Sequence, residues 1–151
     1  MPATKTENVV FLDRDTFAPE VEVRRPAFEH SWSEYQQTAP EQVVERAREA
    51  TILIDNKVPL RADVLAQLPN LRMISVSATG TDCVDKAWCA ENGIVVTNVR
   101  AYATETVPEH TFALILALKR ALIGYRQDVI DNEWQRSGRF CLFTHPITGL
   151  A

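Results

Sequence analysis

Leu71-Arg72-Met73-Ile74-Ser75-Val76 runs directly into Ser77-Ala78-Thr79-Gly80-Thr81, and the change of character between the two segments decides the fold. The first segment is mostly apolar and one strand long, the kind of run that a parallel sheet buries on both faces. The second is small, hydroxylated and glycine-containing, as suits a tight turn at the carboxyl end of a strand. The same plan occurs upstream, where Thr51-Ile52-Leu53-Ile54 gives way to Asp55-Asn56-Lys57. Downstream, Asn92-Gly93 is an ordinary helix stop, and Ile94-Val95-Val96 follows it as a further strand.

Working outward, Val9-Val10-Phe11-Leu12 reads as the first strand, ending at Asp13. Phe28 to Gln36 alternates Phe28, His30 and Trp32 with polar neighbours, which suits an edge strand with one wet face. Thr38-Ala39-Pro40-Glu41 has the spacing of a capping box. It opens a helix that turns Val43, Val44 and Ala47 inward. Val64, Leu65 and Leu68 mark a short second helix, and Asp82 is placed to cap a third. Five strands with interleaved helices over residues 1–100 predict an α/β fold with a flavodoxin-like, doubly wound parallel sheet.

Residues 101–151 differ. Thr106-Val107-Pro108-Glu109 reads as a second capping box, with Pro108 in the first turn where its absent N–H costs little. The helix it opens is predicted to run to about Ile123. Phe112, Leu114, Ile115, Leu116 and Leu118 point in several directions, and a helix apolar all round needs cover on more than one side. That cover must come from another domain or another subunit, so the helix is expected to be an interdomain or dimerisation element. Gly124 to Gly138 is more polar and helical in character, and Phe140 to Ala151 reads as a loop.

The bulk properties narrow the function classes. The chain has 151 residues, 46% of them hydrophobic and 24% charged, with a formal net charge of −4. No basic stripe is present, which argues against nucleic acid and anionic membrane as partners. The longest apolar run, Phe112 to Leu118, is far short of the ~20 residues of a membrane span. Met1 to Asn8 lacks the apolar core of a secretory leader. Cys83, Cys89 and Cys141 are odd in number and irregular in spacing, giving neither a disulfide framework nor a zinc site. A cytoplasmic setting with reduced thiols, and no metal, is expected.

Ligands of open α/β sheets bind beyond the carboxyl ends of the strands. This picks out Asp13-Arg14-Asp15, Asp55-Asn56-Lys57 and Ser77 to Thr81. On residue chemistry alone the last is either a plain strand-to-helix turn or a nest of backbone N–H groups for a carboxylate or phosphate. Asn56 and Lys57 can add an amide and a cation to the same site, or can simply be solvated. The three histidines, His30, His110 and His145, form no recognisable nucleophile–base pattern. No GxGxxG dinucleotide loop occurs.

Taken in order, Asn56-Lys57-Val58-Pro59-Leu60, Ser75 to Asp85, Val96-Thr97-Asn98-Val99 and Thr106 to Leu114 resemble the D-isomer-specific 2-hydroxyacid dehydrogenases, in particular their glycerate dehydrogenase and hydroxypyruvate reductase branch. The resemblance implies a substrate-binding domain that lies ahead of an NAD(P)-binding Rossmann domain. It places Asn56, Lys57, Ala78, Thr79 and Gly80 beside a small 2-hydroxy or 2-keto acid and brings Tyr102 to the pocket wall. It sets the start of the long helix, Thr106 and Val107, near the nicotinamide, and makes helix 106–123 a homodimer contact. The family's glycine loop and its catalytic arginine, glutamate and histidine belong beyond Ala151, so no catalytic residue is expected here. The chain alone is expected to be inactive and to bind neither NAD nor NADP. Pro108 departs from the alanine more usual in the family. Two other readings compete. One is a cofactor-free acid-binding or dimerisation module. The other is a receiver-like signalling domain built on Asp13, Asp15, Asp55 and Thr79, although Thr97-Asn98-Val99-Arg100 lacks the lysine that a receiver needs.

Overall fold

The structure is a computed structural model that describes residues 6–139 and 144–145. The chain divides into two compact units, Met1–Arg100 and Ala101–Ala151. In the first, β1 (Glu7–Phe11), β2 (His30–Glu34), β3 (Ile52–Asp55), β4 (Met73–Val76) and β5 (Val95–Asn98) form one sheet in the order β2-β1-β3-β4-β5. Every pairing is parallel. The expected five strands are therefore present, with β2 at an edge, in the doubly wound order of a flavodoxin-like sheet.

Register explains the core. Val10 pairs with Leu53, Leu53 with Ile74 and Ile74 with Val96, so these residues share one face. That face packs on α1 (Val43–Ala47), α2 (Ala62–Leu65) and α3 (Lys86–Glu91) through Val43, Ala47, Leu65 and Cys89. Leu53, Leu60 and Ile74 are fully buried there, each contributing about 1.5–3 kcal/mol. On the other face Phe17 meets Phe11 edge to face at 5.8 Å.

The helix starts differ from the sequence reading. Thr38 does not cap: its buried hydroxyl donates to the Leu12 carbonyl at 2.6 Å. Ala39 opens the turn instead, and Gln42 rather than Glu41 reaches back to accept the Ala39 N–H at 3.1 Å. Asp85, not Asp82, caps α3, its carboxylate accepting the Trp88 N–H at 3.1 Å. Gly93 stops that helix with φ +72°, a left-handed value that glycine adopts without penalty.

The second unit holds α4 (Thr106–Lys119), α5 (Leu122–Ile130) and α6 (Glu133–Ser137). Thr106 is already helical and Glu105 precedes it with no side-chain cap bond, so the second capping box is not formed. The helix expected to reach Ile123 breaks at Ala121, which adopts φ +49°. A non-glycine residue there costs roughly 1–2 kcal/mol. No residue of α4 is buried: Phe112, Leu114, Leu116 and Leu118 are exposed, Leu118 by 77%. Cys141 and most of the terminal loop predicted from Phe140 lie outside the described residues.

Candidate functional site

Three turns meet at the carboxyl edge of the sheet. Asp13, at the end of β1 and 4% exposed, sends its carboxylate across to the turn after β3. There it accepts the Asn56 N–H at 3.1 Å on each oxygen and the Lys57 N–H at 2.7 Å. The Ser77 N–H donates to the Asp55 carbonyl at 2.7 Å, which ties the turn after β4 to the same place. From β5, the Asn98 amide donates to the Thr79 carbonyl at 2.8 Å and the Val99 N–H to the Ala78 carbonyl at 3.1 Å.

In the turn after β4 the Ala78 and Thr79 carbonyls are thus engaged, whereas no acceptor among the described residues takes the N–H groups of Ala78, Thr79 or Gly80. Gly80 does not have a left-handed φ, and a Cβ built on it would meet only Asp82 Oδ2 at 3.8 Å. Neither backbone strain nor internal packing demands glycine here. Its effect is to leave the N–H groups open to close approach, the property an anion nest requires.

The charges nearby are unequal in state. Lys57 is exposed and takes part in no ion pair among the described residues. Asp55 is fully buried; its Oδ1 accepts the Val58 N–H at 3.0 Å, and its Oδ2 has no hydrogen-bond partner among them. Burial first, and the Asp13 charge second, push the Asp55 carboxyl up to about 7. Burial also raises Asp13, opposed by the Lys57 and Asn56 N–H groups. Cys83 is pushed up to about 12, by burial and then by Asp55. Such a thiol holds its proton at neutral pH and is no nucleophile.

Asn56, Lys57, Ala78, Thr79 and Gly80 therefore lie on two turns that follow adjacent strands, β3 and β4. A cavity of ≈ 240 Å³ lined by Asp13, Thr38, Lys57 and Pro59 opens beside the first of them. Tyr102, Thr106 and Val107 belong to the second unit and are exposed. His30 sits on the edge strand and His110 on α4. Among the described residues no group of His, Cys, Asp or Glu is arranged to hold a metal, and no helix is long and apolar enough to cross a membrane. The sequence reading quoted Asn98 only within a motif of the family resemblance, without a role, and gave Asp13 no part in holding the turns. Asp13 announced itself only as a carboxylate at a strand end. A cavity of ≈ 480 Å³ lies at the opposite, amino-terminal edge, lined by Thr6, Glu7, Phe28, Ile52, Arg72 and Met73. Arg72 there is already paired with Glu7, which leaves the carboxyl edge as the better seat for an anion.

Residues 9–142 match the family model of the D-isomer specific 2-hydroxyacid dehydrogenase catalytic domain. The chain is 48% identical to the glycerate dehydrogenase of Methylorubrum extorquens over 97% of its own length and 46% of that protein's. Its fold matches the D-lactate dehydrogenase of Aquifex aeolicus complexed with NAD and lactic acid, at TM-score 0.61 and 25% identity, over 82% of this chain and 37% of that one. It also matches the NADPH-dependent glyoxylate/hydroxypyruvate reductase of Sinorhizobium meliloti in complex with citrate, at TM-score 0.65 and 22% identity, over 95% and 44%. The chain belongs to the D-isomer-specific 2-hydroxyacid dehydrogenase family. It spans less than half the length of these relatives. Family membership removes the receiver-like alternative.

Proposed function

We propose that this chain is the acid-binding part of an NAD(P)-dependent D-2-hydroxyacid dehydrogenase acting on a small acid of the glycerate or hydroxypyruvate class. Residues 1–100 are its substrate-binding domain, and residues 101–151 form the crossing helix and the start of a linker. The observation that carries this reading is the row of uncommitted N–H groups at Ala78, Thr79 and Gly80. A carboxylate placed there gains hydrogen bonds of roughly 1.5–3 kcal/mol each. Lys57 adds a cation and Asn56 an amide for the neighbouring oxygen.

The cofactor, when bound, supplies or accepts the hydride at the substrate carbon. Of its site this chain offers only the exposed start of α4, Thr106 and Val107, with no glycine-rich phosphate loop. Reduction of a keto acid also needs a positioned proton donor at the keto oxygen, and no histidine stands on the three turns of the carboxyl edge. The chain alone therefore binds acid without turning it over. Among the described residues Cys83 and Cys89 are free thiols, Cys89 buried and Cys83 holding its proton, which suits a cytoplasmic setting. The exposed apolar side chains of α4 suit a homodimer contact.

Two assays on the purified chain test this together. Calorimetry with D-glycerate in the absence of NAD is expected to show saturable binding. The NADH absorbance with hydroxypyruvate is expected to stay constant. Turnover by the chain, or no binding of any small 2-hydroxy acid, overturns the proposal.

A further inference from the structure

We propose that Asp13 and Asp55 are positioning residues that hold one proton between them, Asp13 as the anion and Asp55 as the neutral acid, and that this pair fixes the turn carrying Asn56 and Lys57. Its functional weight rests on the reading of that turn as part of an acid site. Its test does not, because the state of the turn can be read with no acid present.

The hydrogen bonds assign the proton. Asp13 receives two backbone N–H groups, one of them shared by both its oxygens, and such donors favour the ionised carboxylate. Asp55 accepts the Val58 N–H on one oxygen, with the Asn56 N–H and the Cys83 thiol as weaker neighbours, and its other oxygen is buried without a well-formed hydrogen bond among the described residues. An ionised Asp55 would be a second buried negative charge next to the first, and no ion pair among the described residues neutralises it. Every titratable group that faces the pair works in the same direction or weakly against it. Cys83, from the segment before α3, keeps its own proton beside Asp55 and offers it as a hydrogen bond, which opposes the neutral acid but ranks behind burial and the Asp13 charge. Asp15 adds negative charge on the Asp13 side. Among the described residues Lys57 is a cation that acts on the cluster, its charge lowering Asp13 and Cys83, and its ammonium is solvent-exposed, so it favours the anion at Asp13 rather than at Asp55. Burial and the Asp13 charge act together to raise Asp55, to about 7.

The pair spans the turn. Asp13 holds it through Asn56 and Lys57, and Asp55 holds it through Val58, so three successive N–H groups, 56 to 58, depend on two carboxyl groups in different charge states. Loss of the shared proton places repulsion across the turn and loosens it on the alkaline side of neutrality.

Carboxyl carbon-13 titration and amide hydrogen exchange on this chain test the pair. One buried carboxyl is expected to titrate near 7. The protection factors of Asn56, Lys57 and Val58 are expected to fall at least about tenfold between pH 6 and pH 8.5. Asp55→Asn, which mimics the neutral acid in shape, is expected to keep the protection and flatten its pH profile. Asp13→Asn is expected to lose protection at Asn56 and Lys57 at every pH. An Asp55 carboxyl that titrates below pH 5, or an Asp55→Asn chain that loses protection as Asp13→Asn does, overturns the proposal. Should Asp13→Asn fail to fold, the titration and the Asp55→Asn profile still decide it.

Discussion

The hydrogen bond of 2.7 Å from the Lys57 N–H to the Asp13 carboxylate joins residues 44 apart in the sequence and sets the turn after β3 against the end of β1. Removing the acceptor leaves the Asn56 and Lys57 N–H groups in a half-buried turn with no partner. Asp13→Ala is expected to destabilise the chain by about 2–4 kcal/mol, the cost of orphaned donors plus a lost charge-assisted bond. Urea unfolding at pH 7 measures it, and a loss under about 1 kcal/mol contradicts the role given to Asp13.

Asp55 makes stability depend on pH with a definite sign. Its carboxyl is pushed up to about 7 in the fold, while the unfolded chain releases that proton near pH 4. Between those values the folded state holds more protons, so this group's contribution falls as pH rises from about 4 to about 7 and is level above. Asp55→Asn has no such dependence. Its stability relative to the parent chain is expected to rise by on the order of 2–4 kcal/mol across that window, read from urea midpoints at pH 4.5, 6 and 8. A constant difference at all three removes the elevated carboxyl from the account.

Gly80 and Gly93 should respond oppositely to alanine. Gly93 has φ +72° with nothing within 4 Å of an added Cβ, so Gly93→Ala costs about 1–2 kcal/mol through backbone strain alone. Gly80→Ala has neither strain nor close contact and should leave stability within about 0.5 kcal/mol. Glycerate affinity should nevertheless fall at least about tenfold as the methyl covers the N–H groups. Thermal melts and calorimetry on both variants separate the two effects, and full binding by Gly80→Ala counts against the nest.

The strands and their order were legible because buried parallel strands are short, apolar and set apart by polar turns, as at Thr51 to Asp55. The caps were not. Thr38 looked like a local cap, but its hydroxyl is taken by Leu12, 26 residues away, a choice made by tertiary packing. The break at Ala121 was invisible because alanine is the best helix former, and only the fold gives it a positive φ. At the site, the turn from Ser77 to Thr81 could be read from its small residues. The part played by Asp13 could not, since its partners lie on another strand's turn and are backbone groups that carry no residue signature.

The apolar side chains of α4 predict association. Leu118, 77% exposed, changed to Glu should shift the chain toward monomer in sedimentation equilibrium, with helix content by circular dichroism unchanged. Equal masses for the two chains would place any contact elsewhere.

The central claim, that Ala78, Thr79 and Gly80 receive a substrate carboxylate, is tested most directly by following backbone amide resonances while D-glycerate is added to the chain. Saturable downfield shifts at Ala78, Thr79 and Gly80, with smaller ones at Asn56 and Lys57, are the expected result. Shifts confined to the cavity around Phe28, Ile52 and Met73, or no saturable shift at the turn, would contradict it.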